Sequence, residues 1–318
     1  MATAVPASVP AEFVKPFLKW VGGKTQILEQ VLTKFPSEIN DYYEPFLGGG
    51  SVLLGLLTRI RQGKISVRGK IYASDINPHL ISLYQNIQEN PESLLTELRK
   101  ITSEFSQADS RPTATVNRTP SSIEQALTSR ESYYYWTRAR YNAVDEDATH
   151  SPETSAMLLF LNKTCFRGIY REGPRGFNVP FGNYTNPGIF DEDHIRLISN
   201  LIQPVKFTAT SYSDALEIQT SPSLGDFVYL DPPYVPETST SFVSYTADGF
   251  SLEDHNALFK LCKSLNERSV KFLLSNSNVS IVKNTFSSPP YETQIILCKR
   301  SINSKNPVAK TNEVLIRN

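Results

Sequence analysis

The feature that most constrains the fold is a strand, glycine loop, helix, strand and acid that follow one another between residues 42 and 75. Residues 42–46 end a short predicted strand, and Gly48-Gly49-Gly50 leads into an apolar helix from Ser51. A second apolar strand, residues 71–74, ends at Asp75. This order is the first half of a nucleotide-binding α/β unit, in which ligands bind at the carboxyl ends of parallel strands. Further strands are predicted at 205–208, 227–230, 271–274, 292–297 and 313–316.

The glycine loop favours a nucleoside over a dinucleotide or a triphosphate. Glycines allow the backbone to approach a ligand closely. The spacing is not G-x-G-x-x-G, because Leu53 holds the last position, and no G-K-[S/T] follows as in a Walker loop. Asp75 is placed to accept both hydroxyls of a ribose. The alternatives are a simple N-terminal helix turn for the glycines and a helix N-cap for Asp75.

A rigid acceptor site is predicted at Asp231-Pro232-Pro233-Tyr234, directly after the apolar strand at 227–230. Each proline fixes φ and removes an N–H donor, so the carbonyls of this loop stay outside any helix. Asp231 adds a second acceptor, and Tyr234 offers a ring face. Two acceptors and a ring suit a planar group with an exocyclic –NH₂, such as a nucleobase. The alternative is a Pro-Pro turn with an incidental aspartate.

Two further clusters precede and follow these elements. Lys19-Trp20-Val21-Gly22-Gly23-Lys24 combines two cations, an aromatic and a glycine pair. Lys24 could hold a carboxylate and Trp20 could pack over a planar or cationic group, whereas a surface turn is the alternative. Asp214, after the strand at 205–208, supplies a third acid at the same edge, with an N-cap as its alternative.

Composition excludes several classes of function. The chain has 318 residues, 40% hydrophobic and 20% charged, with a formal net charge of zero, as is typical of a globular protein. No apolar stretch reaches membrane-spanning length, and the first residues lack the features of a signal peptide. The three cysteines and four histidines have no metal-ligand spacing. We therefore expect a reducing compartment, no metal, no membrane and a disordered N-terminus over residues 1–12.

The middle of the chain, residues 91–200, is predicted to be an insert in the α/β domain formed by residues 13–90 and 201–318. Within it, residues 103–130 lack a clear period and are predicted to be a mobile loop. Lys163, Arg167, Arg171 and Arg175 recur every four residues, but the glycines and proline between them argue against a helix. A hairpin is predicted instead, with strands at 166–171 and 177–181. Its cations and aromatics suit nucleic acid, and a solvated hairpin is the alternative.

Together and in this order, these residues resemble the Dam-type N6-adenine DNA methyltransferases of the α group, D12 class. The resemblance covers roughly residues 15–317. Its motifs are Lys-Trp-Val-Gly-Gly-Lys at 19–24, Glu-Pro-Phe-Leu-Gly-Gly-Gly-Ser at 44–51, Asp-Ile-Asn at 75–77, Asn162-Lys163, Phe-Asn-Val-Pro-Phe-Gly at 177–182, Ser-Tyr-Ser-Asp at 211–214, Asp-Pro-Pro-Tyr at 231–234 and Arg-Ser-Ile-Asn at 300–303. One motif is weak evidence, whereas the ordered set is specific.

The resemblance implies a Rossmann-like S-adenosylmethionine-dependent methyltransferase sheet with an inserted helical and β-hairpin target-recognition domain. The implied catalytic residues are Asp231, Pro232, Pro233 and Tyr234. The implied S-adenosylmethionine-binding residues are Trp20 and Lys24 by the methionine end, Asp75 at the ribose, Asp214 at the adenine amine, and Glu44, Phe46, Gly48, Gly50, Ser51, Ile76 and Asp231. The implied DNA-binding residues are Lys163, Phe166, Arg167, Ile169, Tyr170, Arg171, Asn178 and Arg300.

The resemblance also implies a reaction. The target adenine flips out of double-stranded DNA and stacks on Tyr234. The Asp231 carboxylate and the Pro232 carbonyl accept its N6 hydrogens, and N6 attacks the sulfonium methyl in line, giving N6-methyladenine and S-adenosylhomocysteine. Dam-type GATC enzymes usually carry Asn where Arg167 stands, and Arg prefers guanine or phosphate, so the GATC target does not carry over.

Alternatives to this function remain at the sequence level. The chain could methylate another amine, in RNA or a free base, or bind DNA without turnover. The intact Asp231 and Tyr234 argue against an inactive module, and the basic hairpin argues against a small free substrate. We expect an enzyme that acts as a monomer in the cytoplasm or at the nucleoid, with a cognate restriction endonuclease as an optional partner.

Overall fold

The computed structural model describes residues 12–111, 113–236, 249–299 and 310–318. Residues 1–11 of the predicted disordered N-terminus lie outside these ranges. The α-helices are α1 Leu28–Leu32, α2 Ser51–Arg61, α3 Pro78–Glu89, α4 Pro91–Gln107, α5 Ile123–Ala126, α6 Arg130–Asn142, α7 Pro152–Thr164, α8 Glu192–Leu201, α9 Leu252–Glu267 and α10 Ser280–Thr285. The strands are β1 Glu38–Ile39, β2 Tyr42–Glu44, β3 Ser66–Val67, β4 Ile71–Asp75, β5 Glu172–Gly173, β6 Gly176–Phe177, β7 Val205–Ala209, β8 Phe227–Leu230, β9 Lys271–Ser277, β10 Glu292–Lys299 and β11 Lys310–Arg317.

A seven-stranded sheet forms the centre of the molecule, in the order β10-β11-β9-β8-β2-β4-β7. The five strands from β7 to β9 are parallel, whereas β11 runs antiparallel to both β9 and β10. Counted along the chain, the parallel strands lie in the order 3-2-1-4-5, which is the Rossmann order. The predicted Rossmann-like α/β class is confirmed, and the strand order reverses between β2 and β8.

Alternating side chains divide the core into two layers, one on each face of the sheet. On β8, Phe227 and Tyr229 join the cluster beneath α2, α3 and the insert, whereas Val228 and Leu230 join the cluster beneath α9. All four side chains are buried, as expected of a central parallel strand covered on both faces. Because both faces of the sheet are covered, the space for a ligand lies at the ends of the strands.

The middle segment packs its helices onto one face of the sheet domain. Phe105 of α4, Tyr133 of α6 and Phe160 of α7 meet edge to face or tilted, with ring centroids 5.2–6.0 Å apart. They belong to the same buried cluster as Leu53 and Tyr84 of the sheet domain. The predicted loop at 103–130 contains the end of α4 and the short helix α5. The hairpin forms as β5 and β6, although a 3₁₀ turn at Phe166–Gly168 replaces the start of its first predicted strand.

Local signals in the sequence explain where the helices begin. Asn77, Ser129, Ser151, Asp191 and Ser251 accept a hydrogen bond from the backbone of the first turn of the following helix. Such caps satisfy N–H groups that have no partner within the helix. None of the helices in the described ranges is long and apolar enough to cross a membrane.

Candidate active site

A cleft of about 820 Å³ opens at the carboxyl ends of the parallel strands, beside the reversal between β2 and β8. Ligands of open α/β sheets bind at such a reversal. Most of the predicted catalytic and cofactor-binding residues line this cleft. They are Trp20, Lys24, Glu44, Phe46, Gly48, Ser51, Asp75, Ile76, Asp231, Pro232, Pro233 and Tyr234.

Two predicted cofactor-binding residues are not part of the cleft lining. Gly50, with φ of +67°, is the N-cap of α2, and a Cβ there would meet the Tyr84 hydroxyl. Asp214 directly follows Ser211, Tyr212 and Ser213, which do line the cleft. The Ser211 hydroxyl accepts the Asp214 N–H at 3.1 Å, so Ser211, rather than Asp214, caps this turn.

The glycine loop packs against Trp20 and is fixed by Asp75. A Cβ on Gly48 would lie 2.9 Å from the indole, and Gly48 has φ of +49°. The Gly48 N–H donates to Asp75 Oδ2 at 2.9 Å, and the Asn77 N–H donates to Oδ1 at 3.0 Å. Burial raises the pKa of Asp75, and these N–H donors oppose the rise. The capping role belongs to Asn77, which accepts from the Leu80 N–H at 3.0 Å.

Asp231 is held by one of its two oxygens. Its Oδ2 lies 2.7 Å from Lys24 Nζ, which also donates to the Gly22 carbonyl at 2.6 Å. Its Oδ1 is shielded from solvent and has no hydrogen-bond partner among the described residues. Burial raises the pKa of Asp231, and the Lys24 cation opposes the rise. In the structure, Lys24 thus holds a carboxylate of the protein itself, that of Asp231.

Side chains of β9 and β11, which the sequence prediction missed, anchor the loop after β8, residues 231–235, which was predicted to be catalytic and is called the catalytic loop below. Asn276 Oδ1 accepts the Val235 N–H at 3.1 Å, and Ser277 Oγ donates to the Val235 carbonyl at 2.6 Å. The Tyr234 hydroxyl donates to Glu313 Oε2 at 2.9 Å. The signal for the first pair was Ser275-Asn276-Ser277-Asn278 at the end of a predicted strand. These bonds fix the backbone at Val235 and the hydroxyl of the Tyr234 ring.

Glu44 is a buried acid behind Asp231. Tyr42 donates its hydroxyl to Glu44 Oε2 at 2.6 Å. Burial, reinforced by the nearby Asp231 carboxylate, raises the pKa of Glu44 to about 8. The raised pKa favours the protonated side chain, which adds less negative charge to the cleft than a carboxylate.

An aromatic wall forms another part of the cleft. Phe46 stacks on Tyr212 with ring centroids 5.2 Å apart, and Phe250 meets both rings at 6.0–6.1 Å. Ile76 is 61% exposed at the edge of the cleft. An apolar side chain and stacked rings suit a planar ligand such as adenine. Phe250 was not predicted as a site residue because it lies far from Phe46 in the chain, and only the tertiary fold brings the two rings together.

The hairpin borders the same cleft. Tyr170 stacks on Trp20 with centroids 5.3 Å apart and is buried, as is Phe177. Asn162 accepts the Lys19 N–H at 2.9 Å and donates to the Lys19 carbonyl at 2.7 Å. In this conformation Tyr170 therefore supports the hairpin and does not present its ring to a partner.

The exposed residues of the hairpin include two at its 3₁₀ turn, Phe166 and Arg167. Phe166 is 46% exposed, with the Arg167 guanidinium 5.2 Å from its ring centroid. Arg171 donates from Nε to Asn178 Oδ1 at 2.6 Å. Burial, with repulsion from Lys19, lowers the pKa of Lys163 to about 8. The predicted DNA-binding Ile169 is half-buried, and Arg300, with residues 301–303, lies outside the described residues.

The described residues contain no cluster of histidine, cysteine and acidic side chains that could hold a metal ion. The three cysteines are buried, and burial raises the pKa of Cys165 to about 12. The chemistry of the cleft therefore rests on carboxylates, backbone carbonyls, a lysine and aromatic rings.

Comparisons with known proteins agree with the motifs. The chain is 36% identical over 315 residues to the type II methyltransferase M.MjaIII of Methanocaldococcus jannaschii, covering 96% of this chain and 99% of the relative. It is 31% identical over 277 residues to the type II methyltransferase M1.LlaDCHI of Lactococcus lactis subsp. cremoris, covering 86% and 84%. It is 30% identical over 296 residues to a DNA adenine methylase of Haemophilus influenzae, covering 92% and 89%.

A solved rRNA methyltransferase, aviRa from Streptomyces viridochromogenes, aligns with 100% of this chain and 90% of its own, at 14% identity and a TM-score of 0.34, a likeness too distant to carry an argument. A family model, by contrast, matches residues 20–302 and is described as D12 class N6 adenine-specific DNA methyltransferase. This confirms the resemblance that the motifs indicated. The chain belongs to the D12 class of N6 adenine-specific DNA methyltransferases and methylates adenine N6 in DNA.

Proposed function

We propose that this enzyme takes its methyl group from S-adenosylmethionine bound in the 820 Å³ cleft. Three observations support the fit. The volume lies in the usual range for ligand pockets, roughly 300–1,000 Å³. Asp75 lies at the end of β4, where each of its oxygens, already holding one N–H, keeps a second lone pair for a ribose hydroxyl. The wall of Phe46, Tyr212 and Phe250 suits the adenine ring.

The residues that would hold the cofactor are those of the cleft and its glycine loop. When bound, S-adenosylmethionine supplies an electrophilic methyl group on a sulfonium. Gly48 allows Trp20 to pack directly on the glycine loop at this end of the cleft, because a Cβ there would lie 2.9 Å from the indole. The full set is Trp20, Lys24, Glu44, Phe46, Gly48, Gly50, Ser51, Asp75, Ile76, Asp214 and Asp231. Gly50 and Asp214 are next in sequence to residues that line the cleft.

The unpartnered Oδ1 of Asp231 carries the proposal for catalysis. A buried acceptor without a donor costs about 1–3 kcal/mol, and an N–H that reaches it removes this cost. Lys24 holds Oδ2 and favours the ionised form, so the carboxylate is oriented and Oδ1 accepts one N6 hydrogen. The Pro232 carbonyl accepts the other, because Pro233 has no N–H to compete for it. Two accepted hydrogens increase the nucleophilicity of N6.

Access to this site requires the target adenine to leave the duplex. Flipping costs a few kcal/mol, and stacking on a ring offsets part of that cost. Tyr234 provides the ring, held by its bond to Glu313 and by Lys24 Nζ 5.0 Å from the ring centroid. Because Oδ1 is shielded from solvent, the catalytic loop has to shift slightly before an amine reaches it.

The hairpin is the proposed DNA reader of an insert at 91–200, within a catalytic domain formed by 13–90 and 201–318. Phe166 is exposed beside Arg167, which suits a ring wedge into the DNA stack next to a phosphate or guanine contact. Lys163, Ile169, Tyr170, Arg171, Asn178 and Arg300 complete the proposed DNA-binding set, in which the buried Tyr170 acts through support of the hairpin.

The names of two relatives support a proposal for the biological role. Two relatives are named type II methyltransferases, which is consistent with a cognate restriction endonuclease. We propose that the enzyme acts as a monomer on double-stranded DNA, in the cytoplasm or at the nucleoid. The target sequence differs from GATC if Arg167 contacts a base, because Arg favours guanine over an adenine edge.

Substitution of Asp231 tests the catalytic proposal. Asp231→Ala removes both acceptor oxygens, so we expect methyl transfer to fall by about 10²-fold or more. S-adenosylmethionine should still bind, with an affinity lowered far less than the rate, because the other members of its proposed binding set remain. Tritium transfer to DNA measures the first quantity, and calorimetric titration measures the second. Asp193→Ala, an exposed acid on α8, is the matched control and should retain full activity. Full activity of Asp231→Ala would overturn the mechanism.

A further inference from the structure

Glu172 is an acidic residue of the hairpin that lines the cofactor cleft. It begins β5, far along the chain from the glycine loop and from Asp231. Tyr170, two residues earlier, donates its hydroxyl to Glu172 Oε1 and stacks on Trp20. The hairpin therefore carries a carboxylate to the part of the cleft beside Trp20, which we call the hairpin end.

Each of the other acids that line the cleft also holds a donor, and the free oxygen of Asp231 is the one proposed for the target amine. Asp75 accepts two backbone N–H groups, and Asp231 pairs with Lys24. The remaining three are Glu44, which accepts from Tyr42, Asp254, which accepts from the Ser251 N–H at 2.7 Å, and Glu313, which accepts from Tyr234. Glu172 Oε2 receives no hydrogen bond from the described part of the chain. Glu172 thus keeps one oxygen for a donor from a ligand, and among the acids that line the cleft it is the one carried by the hairpin.

The charges of the ligand indicate which donor this is. The proposed S-adenosylmethionine carries one primary ammonium, on the α-carbon of its methionine tail. The aromatic wall suits its adenine and Asp75 suits its ribose, so the hairpin end is left for the tail. Lys24 cannot counter an ammonium, and its charge is matched by Asp231. A carboxylate at the hairpin end would neutralise the ammonium with a charge-assisted hydrogen bond.

We propose that the Glu172 carboxylate binds the α-ammonium of S-adenosylmethionine. This inference rests on the cofactor proposal above and adds a ligand-binding residue to it. The hairpin that carries Phe166 and Arg167 then also forms a wall of the cofactor site. Glu172→Gln keeps the size of the side chain and an oxygen for the Tyr170 hydroxyl, but removes the charge.

The test compares three ligands by calorimetric titration against the full chain. S-adenosylhomocysteine carries the ammonium, its deamino analogue lacks only that group, and 5′-methylthioadenosine keeps the nucleoside without the tail. We expect Glu172→Gln to bind S-adenosylhomocysteine about tenfold or more weakly, as for loss of a hydrogen bond to a charged group. The two ligands without an ammonium should bind Glu172→Gln as they bind the wild type. Glu267→Gln, an exposed residue at the end of α9, is the matched control.

Each outcome separates this inference from the cofactor proposal. If wild-type protein binds S-adenosylhomocysteine and Glu172→Gln binds it equally well, the ammonium contact is refuted and the cofactor proposal stands. If Glu172→Gln weakens all three ligands alike, Glu172 only supports the shape of the cleft, and the inference is again overturned. If wild-type protein binds none of the three, the cofactor proposal itself fails.

Discussion

The ion pair between Lys24 and Asp231 joins the loop before α1 to the catalytic loop after β8. Lys24 is only 4% exposed, and its Nζ lies 2.7 Å from Asp231 Oδ2. Lys24→Met keeps an unbranched side chain of similar length but removes the charge. Asp231 then remains in the fold as a largely buried carboxylate without its cation. We expect both folding and catalysis to suffer, each with its own dependence on pH.

The magnitude follows from the geometry. At an effective dielectric constant of about 20, unit charges 2.7 Å apart attract each other by about 6 kcal/mol before desolvation is counted. Breaking a buried pair by removing one partner costs about 3–5 kcal/mol, because the other charge stays buried and unpaired. A protonated Asp231 carries no charge, so this loss should be small at low pH and large at high pH.

The sign of the pH dependence comes from Asp231. Burial already raises its pKa above the ordinary value, and Lys24 is the largest influence that opposes the rise. Without Lys24 the pKa rises further, so the folded state keeps a proton that the unfolded chain releases near pH 4. Stability that depends on this proton is complete below the unfolded pKa and is lost as pH rises through the folded pKa.

Urea unfolding at pH 5 and pH 8 measures this effect. We expect Lys24→Met to lose about 3 kcal/mol more at pH 8 than at pH 5, relative to wild type. Adding Asp231→Asn should recover part of the loss, with a coupling energy of about 1–3 kcal/mol in the double-mutant cycle. Lys260→Met, an exposed lysine of α9, should leave the unfolding free energy unchanged within about 0.5 kcal/mol.

Methyl transfer gives a second readout of the same pair. A protonated Asp231 is a poorer acceptor for N6 hydrogens, so the rate of Lys24→Met should increase with pH over a range in which the wild-type rate is flat. The reasoning is refuted if Lys24→Met matches wild type within about 0.5 kcal/mol at pH 8 and its pH–rate profile is unchanged.

Four further substitutions test other parts of the site. Gly48→Ala places a Cβ 2.9 Å from the Trp20 indole at positive φ, and should weaken S-adenosylhomocysteine binding in titration and alter tryptophan fluorescence. Glu44→Gln removes a group whose pKa is raised to about 8. The wild type should therefore lose stability between pH 5 and pH 9, and the unfolding free energy of Glu44→Gln relative to wild type should rise by a few kcal/mol over that range. A difference in unfolding free energy that stays constant from pH 5 to pH 9, measured with urea, would contradict this. Asn276→Leu leaves the Val235 and Ser277 N–H groups unpaired, and should lower kcat without changing S-adenosylhomocysteine affinity. Arg167→Asn keeps a residue tolerant of the positive φ at this position and should change the ranking of methylated DNA sites, measured by mapping N6-methyladenine, more than it changes cofactor affinity.

The sheet could be predicted because its signals are local. The strand at Phe227–Leu230 is apolar at every position and ends at a Pro-Pro dipeptide, so both its burial and its end are visible in the sequence. The glycine loop and Asp75 likewise lie next to strand ends. When strands are parallel, such ends meet at one edge, and proximity in the fold follows from position in the chain.

The anchors of the catalytic loop could not be predicted in the same way. Asn276 lies 41 residues beyond Val235, and the bond between them exists only because β9 packs next to β8. Phe250 reaches Phe46 only once the start of α9 is in place across the sheet. Strand order and helix docking decide these contacts, and neither is encoded in a short window of sequence.

The hairpin gives the most instructive difference between pattern and structure. Its aromatic side chains alternate with cations in the sequence, which predicts that both kinds of side chain share one exposed surface. In the fold, Tyr170 and Phe177 turn inward to Trp20 and α6, while Phe166 stays exposed. The hairpin strands are two residues each, too short for strict alternation to hold. Tertiary neighbours therefore decide which rings are buried.

The position of the hairpin is in turn tied to Lys19 and Trp20, at the start of the segment 19–24. Asn162 binds both the N–H and the carbonyl of Lys19, and also donates to the Gly168 carbonyl at 3.2 Å. A Cβ on Gly168 would lie 2.5 Å from the Lys19 side chain, so only glycine allows this approach. Trp20 then contacts the glycine loop on one side and Tyr170 on the other. If DNA displaces the hairpin, we therefore expect Trp20 to move with it. Because Lys24 lies in the same segment as Trp20, the ion pair between Lys24 and Asp231 should change as well.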